Sequence, residues 1–250
     1  MGEILDLYEP TNTLKPVADD IWIVDGPIVR MAVGPGSMPF PTRMTIVRLA
    51  NGDLFVHSPT EFDDGLSAEI DGLGKVAHLV SPNRIHYAHI PTWKEHYPDA
   101  TAWASPGVRE RAASQKIEVD FDRDLGDEPE QAWADELDQL RFRGSRVMDE
   151  IVFFHRASRT MILADLIENF ELPKVPKKYH LLMRLAGITD PDGRTPADYR
   201  LTFLGNKDQA SECARKLIAM EPQRIIIAHG RWYDTDAVAE LRRAFRWLDI

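Results

Sequence analysis

Val76-Ala77-His78-Leu79-Val80-Ser81-Pro82-Asn83-Arg84-Ile85-His86-Tyr87-Ala88-His89 carries an apolar strand pattern straight into a loop with two histidines three residues apart. Imidazole is the commonest side-chain ligand for a borderline metal ion, and two imidazoles on one tight turn can converge on the same ion. A pair of histidines does not complete a site. The rest of the chain must supply its partners.

Two other segments share the layout of a strand with a ligand-type residue at its end. Asp165 follows Met161-Ile162-Leu163-Ala164, and His229 precedes Gly230 after Ile225-Ile226-Ile227. Strand ends on one edge of a sheet are where α/β folds place functional groups, because the sheet is rigid and the loops leave room for substrate. Each residue also has a plain reading. His86 and His89 could be hydrogen-bonded loop residues, Asp165 could cap the turn Leu166-Ile167-Glu168-Asn169, and His229-Gly230 could be an ordinary strand-to-turn junction.

Working outward, Asp20 to Pro27 reads as a strand closed by Gly26-Pro27, and Pro35-Gly36, Pro39 and Pro41 predict a loop after it. Asn51-Gly52 joins Arg43–Leu49 to Leu54–Ser58 as an antiparallel hairpin. Leu66, Ile70 and Leu73 share a helical face, with Gly74 suited to the helix C-terminus. Pro91–Tyr97 and Val108–Ser114 read as helices around a strand at Ala100–Ala104. A second hairpin pairs Glu150–His155 with Thr160–Asp165 across Arg156-Ala157-Ser158-Arg159. The apolar run Ile225–Ala228 predicts a strand buried on both faces. Thr235–Leu248 reads as a terminal helix capped by Thr235 or Asp236.

The 250 residues, 44% of them hydrophobic, are enough for a substantial core, and no linker divides them. One domain over residues 1–250 is expected, with residues 1–19 as an N-terminal extension. Asp and Glu number 40 against 30 Lys and Arg, a net charge of -10 that argues against nucleic acid or an anionic membrane as partner. Arg141–Arg146 and Arg242-Arg243 read as solvated faces. Cys213, the single cysteine, lies in a helical pattern and excludes both an intrachain disulfide and a thiolate-rich zinc site. The acidic first residues lack a secretion-signal pattern, and no apolar run approaches a membrane span, so a cytoplasmic protein is the default expectation.

Taken in order, the hairpin, helix, strand with its histidine loop, hairpin ending in Asp165 and late strand ending in His229-Gly230 resemble the metallo-β-lactamase fold superfamily over roughly residues 20–248. That family's early loop reads His-x-His-x-Asp-His. With its last two histidines placed on His86 and His89, Arg84 stands at the first histidine and Ala88 at the aspartate. Ala164-Asp165 matches the bridging aspartate and Ala228-His229-Gly230 the final histidine, while the middle histidine falls near Gly144-Ser145, where none exists. The resemblance implies an α/β protein of four αββα layers, with two mixed β-sheets flanked by helices.

It also implies a partial ligand set. His86, His89, Asp165 and His229 would hold one divalent metal ion, with zinc, iron and manganese all suited to mixed nitrogen and oxygen donors. By analogy the protein is a metallo-hydrolase acting on an ester, lactone, thioester or phosphoester of a small molecule, with Asp165 orienting the attacking water. A guanidinium at Arg84 would repel a cation but could bind an anionic group, and Asn83 and Tyr87 beside the histidines could contact substrate. The rival expectation is a catalytically silent member that binds an anionic small molecule or serves as an assembly module. His57 reads as a packing residue, His155 as a surface residue, and Trp232 and Tyr233 as either an aromatic wall or core.

Overall fold

Alternation along the strands explains how the layers stack. Successive side chains of a pleated strand leave on opposite faces. Ile151 and Phe153 enter one buried cluster while Val152 and Phe154 enter another, and Ile226 is divided in the same way from Ile225 and Ile227. Phe55 joins Ile151, Phe153 and Ile226, whereas Leu54 and Val56 turn to a third cluster. Both sheets are therefore covered on both faces, and the cluster containing Phe55, Trp133, Phe153 and Ile226 lies between them.

The computed structural model describes residues 5–33 and 36–250. Pro35 of the expected loop and the first four residues of the N-terminal stretch lie outside the described residues. Among the described residues the larger sheet runs in chain order: β1 (Lys15–Ala18), β2 (Ile21–Val33), β3 (Gly36–Arg48), β4 (Asp53–His57), β5 (Lys75–Ser81), β6 (Thr101–Ala104) and β7 (Arg123–Asp124). Its first half is antiparallel and its second half parallel, beginning with β4 against β5. The smaller sheet contains β8 (Leu137–Phe142), β9 (Glu150–His155), β10 (Thr160–Ile162) and β11 (Arg224–Ile226), in the order β11-β10-β9-β8. It is mixed as well, because β10 pairs antiparallel with β9 and parallel with β11.

Three helices cover the larger sheet: α1 (Asp64–Asp71), α2 (Ile90–His96) and α3 (Val108–Ser114). After α4 (His180–Ala186) and α5 (Ala197–Leu201), α6 (Lys207–Ala219) and α7 (Ala237–Ala244) cover the smaller one. This is the expected αββα sandwich. Cys213 lies on α6 and, as expected, is a helix residue. No helix among the described residues is long and apolar enough to cross a membrane.

Several local expectations are corrected. Gly26-Pro27 does not end a strand. The register shifts between Gly26 and Ile28, and the paired strands continue past this bulge. Pro39 and Pro41 lie within β3, not in a loop, paired with Arg30 and Ile28. Among the described residues β3 is bordered here on one side only, since β4 pairs with Thr45–Arg48, and an unpaired edge tolerates residues without an N–H.

Gly74 lies beyond the end of α1, and its place in the fold depends on close packing. A Cβ there would stand 2.2 Å from the Gly52 carbonyl oxygen at the β3–β4 turn. The terminal helix is shorter than expected, and its N-cap residue Asp236 makes no side-chain cap. His155 is buried, not superficial, with Nδ1 2.8 Å from Ser158 Oγ.

Candidate metal centre

Three strand ends meet at one edge of the sandwich. The loop after β5 carries His86, the segment after β10 carries Asp165, and the segment after β11 carries His229. One donor atom from each lies within 4.8 Å of the others. His86 Nε2 is 3.1 Å from Asp165 Oδ2, and His229 Nε2 is 3.2 Å from Asp165 Oδ1. The His229 Nε2 contact lacks hydrogen-bond alignment, so this buried nitrogen has no partner.

Neighbouring groups orient each donor. His229 Nδ1 donates to the Pro41 carbonyl at 2.7 Å, which fixes the ring with Nε2 facing Asp165. That carbonyl belongs to the proline-rich part of β3. Arg43 holds the same segment by donating to the carbonyls of Ile227 and Gly230, each at 2.8 Å, while pairing with Asp25. His86 Nδ1 lies 2.5 Å from the Oγ of Ser58, whose left-handed φ of 53° follows the end of β4. A glycine-like conformation at a serine carries strain, and here it accompanies a hydroxyl aimed at the imidazole.

Asp165 is held from behind by Asn83 and Glu150. The Asn83 amide donates to Asp165 Oδ2 at 2.7 Å and to Glu150 Oε2 at 3.2 Å. Glu150 is fully buried and accepts from the backbone N–H groups of Ala164 at 2.8 Å and Asp165 at 2.7 Å. These side-chain bonds replace ladder bonds at the point where β10 stops, short of the expected Asp165. Beyond it the Leu163 and Ala228 N–H groups still bridge the two strands.

The electrostatics follow from burial and these contacts. Burial raises the Asp165 pKa, but His86 and His229 outweigh it and hold the carboxyl well below the usual carboxylate range. Burial and the Asp165 charge push Glu150 up to about 7, against its hydrogen bonds. His86 is raised because Asp165 and Glu150 overcome the burial that opposes its charge. His57 is buried at the end of β4, held down at about 3 by desolvation and His86, and is a packing residue as expected.

The other expected site residues are distributed around the triad. His89 begins α2 outside the converging donors, with its Nε2 buried and unpartnered, and lines the same cavity as His86 and His229. Buried Tyr87 lines that cavity too. Arg84 lines an adjoining cavity with Asp165 and donates to the Val147 carbonyl at 2.7 Å. Asn83 is fully buried and engaged with the two carboxylates. Tyr233 belongs to the core.

Sequence reading missed Glu150, Ser58 and the Pro41 carbonyl as supports of the site. A carboxylate opening the apolar run Ile151–Phe154 was the one available signal for Glu150. Two imidazoles and a carboxylate are a fitting donor set for one zinc, iron or manganese ion, and the buried, oriented and unpartnered His229 Nε2 accords with that use.

The family model described as Domain of unknown function (DUF4336) matches residues 19–185, which include His86 and Asp165 but not His229. No curated protein matches the sequence. Among solved structures, the chain is similar to the metallo-β-lactamase FIM-1 from Pseudomonas aeruginosa in its mono-zinc form, at 13% identity and a TM-score of 0.63, covering 97% of this chain and 96% of that one. The DIM-1 metallo-β-lactamase exposed to ceftazidime aligns at 16% identity and a TM-score of 0.62, over 97% of this chain and 96% of its own. A metallo-β-lactamase from Hirschia baltica gives 14% identity and 0.58, over 94% and 96%. These likenesses establish the metallo-β-lactamase fold, here with a partial ligand set.

Proposed function

The chain belongs to the family described as Domain of unknown function (DUF4336), and from that premise we propose that it is a hydrolase using one divalent metal ion. Its substrate in this reading is an ester, lactone, thioester or phosphoester of a small anionic molecule. The observation that carries the reading is the convergence of His86, Asp165 and His229 from three separate strand ends, with the buried His229 Nε2 unpartnered. Three protein donors leave a position open, as catalytic zinc sites do. A bound ion would supply Lewis acidity toward the substrate's carbonyl or phosphoryl oxygen, and zinc, iron and manganese all suit the donors.

The chain's own groups do the rest. Asn83 and Glu150 hold Asp165 in place, Pro41 sets the tautomer of His229, and Ser58 orients His86. Asp165 orients the attacking water. Tyr87 and His89 face the substrate from the histidine side, and Arg84 contacts it from the other.

A second reading, a silent member of the fold that holds an anionic molecule, is supported by the 3.1 Å contact between His86 and Asp165, which pairs both groups without an ion. Elemental analysis of protein purified without added metal separates the two. The hydrolase reading expects near-stoichiometric metal that is lost in His86→Ala and His229→Ala, together with chelator-sensitive hydrolysis of simple esters. Metal-free protein whose melting temperature ignores chelator would refute it.

A further inference from the structure

Two cavities adjoin at the triad and differ in charge. One, of about 450 Å³, is lined by His86 and His229; the other, of about 510 Å³, is lined by Asp165, Glu168 and Asp198, with Arg84 beside them. Met31, Ile85 and Arg111 line both, so the two form one cleft divided along these residues. The histidine side contains Arg30, Arg43 and Arg111 and no carboxylate in its lining, although the chain as a whole has ten more acidic than basic residues (40 against 30).

The three arginines are not equivalent. Arg43 is buried, paired with Asp25 and committed to two carbonyls. Arg30 and Arg111 have no carboxylate partner among the described residues, unlike Arg109, which lies on the same helix as Arg111 and pairs with Asp124. Arg30 comes from β2 and Arg111 from α3, so two separate elements bring unpaired guanidinium groups to one recess beside the triad. Guanidinium is a planar fork that matches carboxylate and phosphate oxygens, and on the histidine side no lining carboxylate competes for it, although Arg111 also borders the side that holds Asp165, Glu168 and Asp198.

We propose that Arg111 and Arg30 form an oxyanion-binding subsite on the histidine side of the cleft, which selects substrates carrying a carboxylate or phosphate group near the hydrolysed bond. The assignment rests on the hydrolase reading for what the anion is attached to. The anion's binding itself depends only on the arginines.

The test titrates the purified protein with inorganic phosphate and, separately, acetate at constant ionic strength, following melting temperature, while metal content is measured in parallel. Stabilisation of the wild type by either anion is expected, and the stronger of the two tells phosphate from carboxylate. Loss of one charge-assisted contact should raise the half-saturating concentration about 10-fold or more in Arg111→Ala. The rise should be smaller in Arg111→Lys and in exposed Arg30→Ala, with metal content unchanged in all three. His86→Ala should lose metal yet retain the wild-type response to the anion. The proposal is overturned if neither anion stabilises the wild type, if the arginine variants respond like it, or if His86→Ala abolishes the response. Absence of metal from the wild type alongside an intact arginine effect would remove the hydrolase reading and leave the anion subsite standing.

Discussion

Replacing Glu150 probes how Asp165 is positioned. Glu150 has no solvent exposure and accepts from the N–H groups of Ala164 and Asp165 and from the Asn83 amide. Glu150→Ala strands two buried backbone donors, at about 1–3 kcal/mol each, so a loss of about 4 kcal/mol is expected. That is a large share of the roughly 5–15 kcal/mol that stabilises a typical domain. Glu150→Gln keeps the shape but offers one oxygen where the carboxylate offers two, so one donor meets an NH₂ group, for about 2 kcal/mol.

The second cost depends on pH. Burial and Asp165 raise Glu150 to about 7 in the folded protein, from an ordinary 4.5. A raised carboxyl pKa means its stabilising contribution is complete below 4.5 and is lost as pH rises through about 7. The gap between wild type and Glu150→Gln should therefore be wider at about pH 5 than at about pH 8. Urea unfolding with an unchanged m value measures it, and elemental analysis reports whether the metal centre survives. A loss below about 1 kcal/mol for Glu150→Ala, with metal retained, would refute the positioning role.

Two further outcomes follow from the geometry. Gly74→Ala places a Cβ 2.2 Å from the Gly52 carbonyl, where backbone faces backbone, and should cost about 3 kcal/mol; a melting temperature equal to that of wild type would refute the close-packing account. The wild-type stability profile should fall at both ends. Buried His57, held at about 3, contributes stability that is complete above 6.5 and lost as pH falls, whereas Glu168, pushed by burial up to about 8, contributes stability lost as pH rises from 4.5. Glu168→Gln should flatten the alkaline limb between about pH 7 and 8 and spare the acid limb, and an unchanged alkaline limb in thermal melts would count against this assignment.

Much of the architecture was legible because it depends on local pattern. The Asn51-Gly52 turn, the apolar alternation of Ile151–Phe154 and the buried run at Ile225–Ala228 each specify a local geometry or a pair of faces. The mistaken stops at Gly26-Pro27, Pro39 and Pro41 share one cause. Proline and glycine usually break a strand, but a bulge absorbs the first pair and an unpaired edge accommodates the other two. Neither circumstance can be known before the neighbours of β3 are known.

By itself, the sequence determined which residues could be ligands and that each stood at the end of a strand, because residue type and hydrophobic period are written locally. Only the tertiary structure decided which of them meet. His86, Asp165 and His229 come within 4.8 Å because β5, β10 and β11 end at one edge of the sandwich, while His89, only three residues from His86, begins a helix outside that set. The charge of the cleft was equally invisible. Arg30 and Arg111 lie 81 positions apart and share a recess only because β2 and α3 both border it. Distance along the chain carries little information about distance in space, and a site made of single residues from many elements exists only once the sheets have paired.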